Sequence, residues 1–173
     1  MSITIASAGD IPALVPLINS AYRGEASKKG WTTEAYLLEG ELRTDIPFLI
    51  TLLNNPEAIM LKYTSSLGTI TGCVYLEKMQ RGLYLGMLTV SPEEQDGGIG
   101  KQVLAAAEVY GKEKGCPSIF MYVISLRHEL IAWYERHGYH KTGETKAMPT
   151  DNHFGTPTQP LEFIIMEKLL YSI

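Results

Sequence analysis

The chain has little of what marks several broad protein classes. Two cysteines in 173 residues, Cys73 and Cys116, cannot build a disulfide scaffold. Cys73 falls in an apolar segment and Cys116 follows Gly115, so both read as small packed residues of a reduced, cytoplasmic protein. No apolar stretch approaches the roughly 18 residues of a membrane-crossing helix, so no membrane partner is expected. Met1-Ser2-Ile3-Thr4-Ile5 lacks the basic region and apolar block of a secretory leader. Positive charge is also short. Fifteen Lys and Arg stand against nineteen Asp and Glu, and Lys28-Lys29 is only a pair, which argues against a nucleic-acid binder. His128, His137 and His140 form no metal-ligand set, because His137-x-x-His140 spans the helix-breaking Gly138. No metal is expected.

What remains is an ordinary folded chain without repeats, read as one domain over 1–173. Ile3–Ala6 predicts a strand. Gly9-Asp10 opens a helix with Pro12 in its first turn and a stripe of Leu14, Leu17, Ile18 and Tyr22. A polar loop covers 23–33, a short helical piece runs from Glu34 to Glu41, and Pro47–Leu53 is a further helix. Ala58–Tyr63, Thr69–Lys78 and Gly82–Val90 predict a meander of three strands. Gly98–Lys114 follows as a helix, Ser118–Ile124 as a strand and Arg127–His137 as a helix stopped by Gly138. Tyr139–Lys146 and Leu161–Leu169 are the last strands. The loop between them, Ala147 to Pro160, is long enough to suggest a functional role. This order is an α/β layer arrangement.

The stretch from Leu83 to Gly115 carries the chemistry. It runs strand, glycine-rich turn, helix start, and a helix start attracts phosphate through unpaired N–H groups and partial positive charge. Three patterns compete for Gln95-Asp96-Gly97-Gly98-Ile99-Gly100-Lys101. A P-loop fails twice, because Gln95 replaces its first glycine and Gln102 its Ser/Thr. A dinucleotide fingerprint fails at Val103, where its third glycine belongs. The third pattern, Q/R-x-x-G-x-G/A, is met by Gln95, Gly98 and Gly100. A second segment, Tyr134-Glu135-Arg136-His137-Gly138-Tyr139, has the form Tyr-x-x-x-Gly-aromatic after one helix and one strand.

Together these segments resemble the GNAT superfamily of acetyl-CoA-dependent N-acetyltransferases, with motif support over about 60–170. One departure stands out: Ser125, Arg127 and His128 occupy the neighbourhood where many members carry an Asn. The resemblance implies the GNAT fold, a mixed central sheet of about six to seven strands flanked by helices on both faces. It implies acetyl-CoA as acetyl donor, held by the backbone of Gln95, Asp96, Gly97, Gly98, Ile99, Gly100 and Lys101. It also implies that Leu88, Thr89 and Val90 pair with the pantetheine arm, and that the Leu88 N–H faces the thioester oxygen. Tyr134 becomes the candidate general acid, with a core aromatic as the bland alternative. Glu77 on the preceding strand is the candidate base, with Glu34 also available, although a surface carboxylate is the commoner fate of either. Trp31 and Glu34, with Tyr36, Arg43, His153 and Phe154, are candidates on the acceptor side. The acceptor is expected to be a small-molecule primary amine. An acyl-CoA-binding sensor that kept the fold without the chemistry is the alternative, and a homodimer is left open.

Overall fold

A computed structural model describes residues 1–149 and 151–171. The chain runs β1 (Ser2–Ile5), α1 (Ile11–Tyr22), α2 (Gly24–Ser27), β2 (Leu38–Glu39), α3 (Ile46–Leu53), β3 (Ala58–Thr64), β4 (Ile70–Lys78) and β5 (Leu83–Val90). It continues through α4 (Ile99–Glu113), β6 (Ser118–Ile124), α5 (His128–Arg136), β7 (His140–Ala147), β8 (Thr156–Pro157) and β9 (Glu162–Leu169). Seven strands form one sheet in the order β1-β3-β4-β5-β6-β9-β7. Only β5 and β6 pair in parallel, so the sheet is mixed. β2 and β8 form a separate two-stranded ribbon.

Period-two alternation assigns the sheet's two faces. From β3 and β4, Leu61, Tyr63, Val74 and Leu76 join one core with Val103, Leu104 and Ala107 of α4 and Ile131 and Tyr134 of α5. Met60, Cys73 and Tyr75 from the same strands join the other core with Leu14 and Ile18 of α1 and Leu49 of α3. Both faces are thus covered by helices. This is why these strands read as continuous apolar runs rather than alternating ones. Fully burying a side chain such as Leu14, Ile18 or Leu104 contributes about 1.5–3 kcal/mol each.

β5 breaks its own alternation. Cys73 pairs with Thr89 and Tyr75 with Gly86, so Val74 stands opposite both Met87 and Leu88. This is a β-bulge. Met87 takes the left-handed conformation, φ 50°, which is uncommon for a residue with a side chain. The bulge reverses the strand's facing: Leu83 and Leu85 lie in the α4 core, Met87 moves to the α1 core, and Val90 returns to the α4 side.

Two local expectations differ from the fold. The stretch 34–41 forms turns and the two residues of β2 rather than a helix, because Leu38 and Glu39 pair with Pro157 and Thr156 far along the chain. The expected loop at 23–33 contains the one-turn helix α2.

Candidate active site

β5 and β6 pair only at Leu83 with Ile119 and Tyr84 with Phe120. Beyond those pairs the strands separate, and two adjoining cavities open along β5. The first, about 590 Å³, is lined by Met87 of β5, Val123 of β6, and loop residues that include Arg43 and Phe154. The second, about 420 Å³, lies at the end of β5 against the start of α4, between Trp31 and Trp133. Tyr22, Leu88, Arg127, Leu130 and Tyr134 line both.

The glycine turn opens the second cavity. Gly98 is the N-cap of α4 in the left-handed conformation, φ 80°, where a side chain would be strained although space is free. It supplies no capping side chain, so the N–H groups of Ile99, Gly100 and Lys101 lead the helix without intrahelical partners. Asp96, Gly98, Gly100 and Lys101 line the cavity. Gly97 is absent from its wall, and its N–H donates to Glu94 O at 3.4 Å. Ile99 turns its side chain into the core.

Gln95 also lines this cavity, and its side chain is a latch. Its Oε1 accepts from Trp31 N at 2.8 Å and Thr32 N at 3.3 Å, while its Nε2 donates to Thr32 Oγ1 at 2.6 Å and Val90 O at 3.1 Å. This latch explains where Trp31 sits. Gln95 holds the Trp31 backbone at the second cavity, with its ring 6.3 Å from the Trp133 ring.

The β5 residues divide. Leu88 lines both cavities and Val90 the second. Thr89 lines neither; it is buried, and its Oγ1 donates to Met87 O at 2.8 Å across the bulge. Met87 and Leu88 have no ladder partner on β4 or β6. The Tyr22 hydroxyl donates to Leu88 O, and burial pushes the Tyr22 phenol up to about 12.

Tyr134 lies on the shared wall, with its ring 5.1 Å from Trp133 and 5.6 Å from Tyr139. Burial, then the nearby Tyr22, raise its phenol well above the ordinary value, so it stays protonated at neutral pH.

Glu77 sits apart from these residues. It lines neither cavity and stands opposite Tyr84, at the closed end where β5 and β6 still pair. Its carboxylate accepts from the Tyr75 hydroxyl at 2.6 Å. Strand alternation puts it on the face of Tyr75, and its place along β4, opposite Tyr84, sets it at the paired end of β5 and β6.

Glu34 reaches the first cavity as the centre of a buried ion triad. Arg23 Nη2 lies 3.2 Å from its Oε1, and Arg127 Nη1 lies 3.2 Å from its Oε2. Arg23 also donates to Leu42 O at 2.8 Å and to Phe154 O, tying the N-terminal loops to the late loop. Arg127 donates in addition to Thr32 O. Arg43, His153 and Phe154 line the first cavity, whereas Tyr36 is exposed beneath Lys28. Sequence reading missed the structural part of Tyr22, Arg23 and Arg127. Tyr22 looked like one more apolar position of α1, and an arginine in a polar loop carries no sign of burial.

Among the described residues no group of three or more His, Cys, Asp or Glu is placed to hold a metal ion. No helix among them is long and apolar enough to cross a membrane.

The model of the acetyltransferase (GNAT) family matches residues 14–139. Among solved structures, the chain is similar to the ribosomal-protein-S18-alanine N-acetyltransferase from Escherichia coli. The TM-score is 0.74 at 14% identity, covering 99% of this chain and 95% of that one. A ribosomal-protein-alanine N-acetyltransferase from Brucella melitensis gives 0.72 at 18% identity, covering 98% and 99%. A nourseothricin acetyltransferase gives 0.59 at 20% identity over 68% of each chain. These likenesses show the shared fold. No curated protein matches the sequence.

Proposed function

This chain belongs to the acetyltransferase (GNAT) family, and from that premise we propose that it moves the acetyl group of acetyl-CoA directly to a primary amine of a small molecule. One observation carries the reading. The bare N-terminus of α4 opens into a cavity that meets a second, side-chain-lined cavity at Leu88 and Tyr134. A diphosphate fits the first of these features and an acceptor the second.

Acetyl-CoA, when bound, supplies an activated thioester. The N–H groups of Ile99, Gly100 and Lys101 hold its diphosphate, where helix-end charge favours an anion. Gly98 and Gly100 keep side chains out of that approach. Met87 and Leu88, without ladder partners, offer backbone groups to the pantetheine arm as an added strand would. The Leu88 N–H faces the thioester oxygen as charge develops there. Tyr22 steadies Leu88 through its carbonyl. Tyr134, a phenol protonated at neutral pH, would give its proton to the departing thiolate and be restored by the proton that the acetylated nitrogen sheds. Glu77 has no part in this reading. The setting is reduced and cytoplasmic, in keeping with two free, buried cysteines.

The test is a thermal shift of the purified protein with acetyl-CoA, CoA, ATP and NAD in parallel, since a ligand of the native state raises its apparent stability. Stabilisation by acetyl-CoA and CoA alone is expected, and no shift with either overturns the reading. Tyr134→Phe should then lower turnover on an accepted amine by about 100-fold or more while CoA affinity changes little. Unchanged turnover would make Tyr134 a packing residue.

A further inference from the structure

We infer that the acceptor is a compact amine bearing an anionic group, carboxylate-like in size, on an apolar or aromatic body, and that Arg43 binds that anion. This deepens the acetyl-transfer reading and rests on it.

The first cavity has a surplus of positive charge. Arg23, Arg43 and Arg127 line it against only Glu34 and Asp151, three guanidinium groups to two carboxylates. Arg23 and Arg127 are already engaged, both with Glu34 and each with backbone carbonyls. Asp151 Oδ1 accepts from the N–H of His153 in its own loop, at 3.2 Å. Arg43 differs. Its backbone N–H donates to Asn19 Oδ1 at 2.6 Å, but its guanidinium has no hydrogen bond or ion pair among the described residues.

That guanidinium points into the cavity. Its carbon lies 5.8 Å from the centre of the Tyr22 ring, and its charge acts on the phenols of both Tyr22 and Tyr84, against the burial that raises them. The surrounding wall is aromatic. Phe48 and Phe154 lie 4.8 Å apart, Tyr84 and Tyr122 5.3 Å, and Tyr122 and Phe163 6.1 Å. A half-buried guanidinium without an ionic partner among the described residues is free to pair with an anion brought by a ligand. The anion is not the cofactor's diphosphate, because Arg43 lines the first cavity only and the α4 N-terminus lines the second.

Tyr22 sets the size of the acceptor. Its hydroxyl holds Leu88 O, and its ring lies beneath Arg43. One phenol therefore separates the cation from the strand that faces the thioester. An amine and an anion on the scale of an amino acid bridge that gap, whereas the N-terminus of a protein has no carboxylate so close to its amine unless its first residue is acidic.

The test uses pairs of acetylated products that differ only in a carboxylate: N-acetyl-L-phenylalanine against N-acetylphenethylamine, and N-acetyl-L-leucine against N-acetylisoamylamine. Each is titrated calorimetrically into the wild type and Arg43→Gln, with the CoA-induced thermal shift measured alongside. At least one carboxylate should bind about tenfold or more tightly than its partner. Arg43→Gln should abolish that preference and leave the CoA shift intact. Equal binding within both pairs, no binding of either carboxylate, or a preference that survives in Arg43→Gln overturns the inference. A missing CoA shift beside an Arg43-dependent preference would instead strike the transferase reading and keep the anion site.

Discussion

The two cavities along β5 share a wall but are made differently. The second is opened by one contiguous stretch, Gln95 to Lys101, with backbone N–H groups set by a left-handed glycine and a helix start. The first gathers Arg23, Glu34, Arg43, Arg127 and Phe154 from segments far apart in the chain, and its character is that of their side chains. A site built of backbone depends on conformation. It fails when a Cβ or a misplaced charge intrudes, and side-chain changes nearby do little. A site built of side chains depends on partners, and removing one leaves the others buried and unpaired.

The strongest way to break this contrast is at Gly98. Gly98→Asp puts a side chain at φ 80° and a carboxylate at the helix start. It should abolish CoA-induced stabilisation in a thermal-shift assay while the free protein still unfolds cooperatively, because nothing lies within 4 Å of the added Cβ. Retained CoA binding would mean that the turn is not the anion site. Next in size, Glu34→Gln removes the shared partner of Arg23 and Arg127. Urea unfolding should show a loss of about 3–5 kcal/mol, the cost of uncompensated buried charge. A loss below about 1 kcal/mol would place the triad among the weak surface pairs.

The smallest effect sharpens the shared wall. The Tyr22 phenol is pushed from 10.0 up to about 12, mainly by burial. The folded state therefore holds that proton more tightly than the unfolded chain. The stability this contributes is fully present below pH 10 and is lost as pH rises toward 12. Between pH 9 and pH 11 the wild type should lose on the order of 1 kcal/mol more than Tyr22→Phe in denaturant unfolding. Parallel pH curves would show that the Tyr22 hydroxyl is hydrated.

Legibility in the sequence followed the same division. β6 was readable to the residue as Ser118–Ile124, because a buried strand is a continuous apolar run bounded by turn residues. The start of α4 was readable within one residue, because Gly98 and Gly100 are contiguous with it. The bulge at Met87 was not, since no glycine marks the left-handed position. The stretch 34–41 was misread as helical because β2 exists only through its pairing with β8. Glu77 looked available because nothing in its own strand reveals the Tyr75 hydroxyl beside it or the direction in which β5 and β6 separate. Nothing local to Trp31 reveals the Gln95 side chain that holds its backbone from 64 residues away.

By itself, then, the sequence determined what local spacing can encode: the order of the longer strands and helices, and a helix start bare enough to attract an anion. Tertiary structure decided which loops meet across the open end of the sheet. Those meetings place the Arg23–Glu34–Arg127 triad, leave the Arg43 guanidinium without a hydrogen bond or ion pair among the described residues, and keep Glu77 out of both cavities. The physical reason is range. A turn or a strand face is set by neighbours a few residues away, whereas an ion pair or an unpaired guanidinium is set by whichever distant segment packs against it.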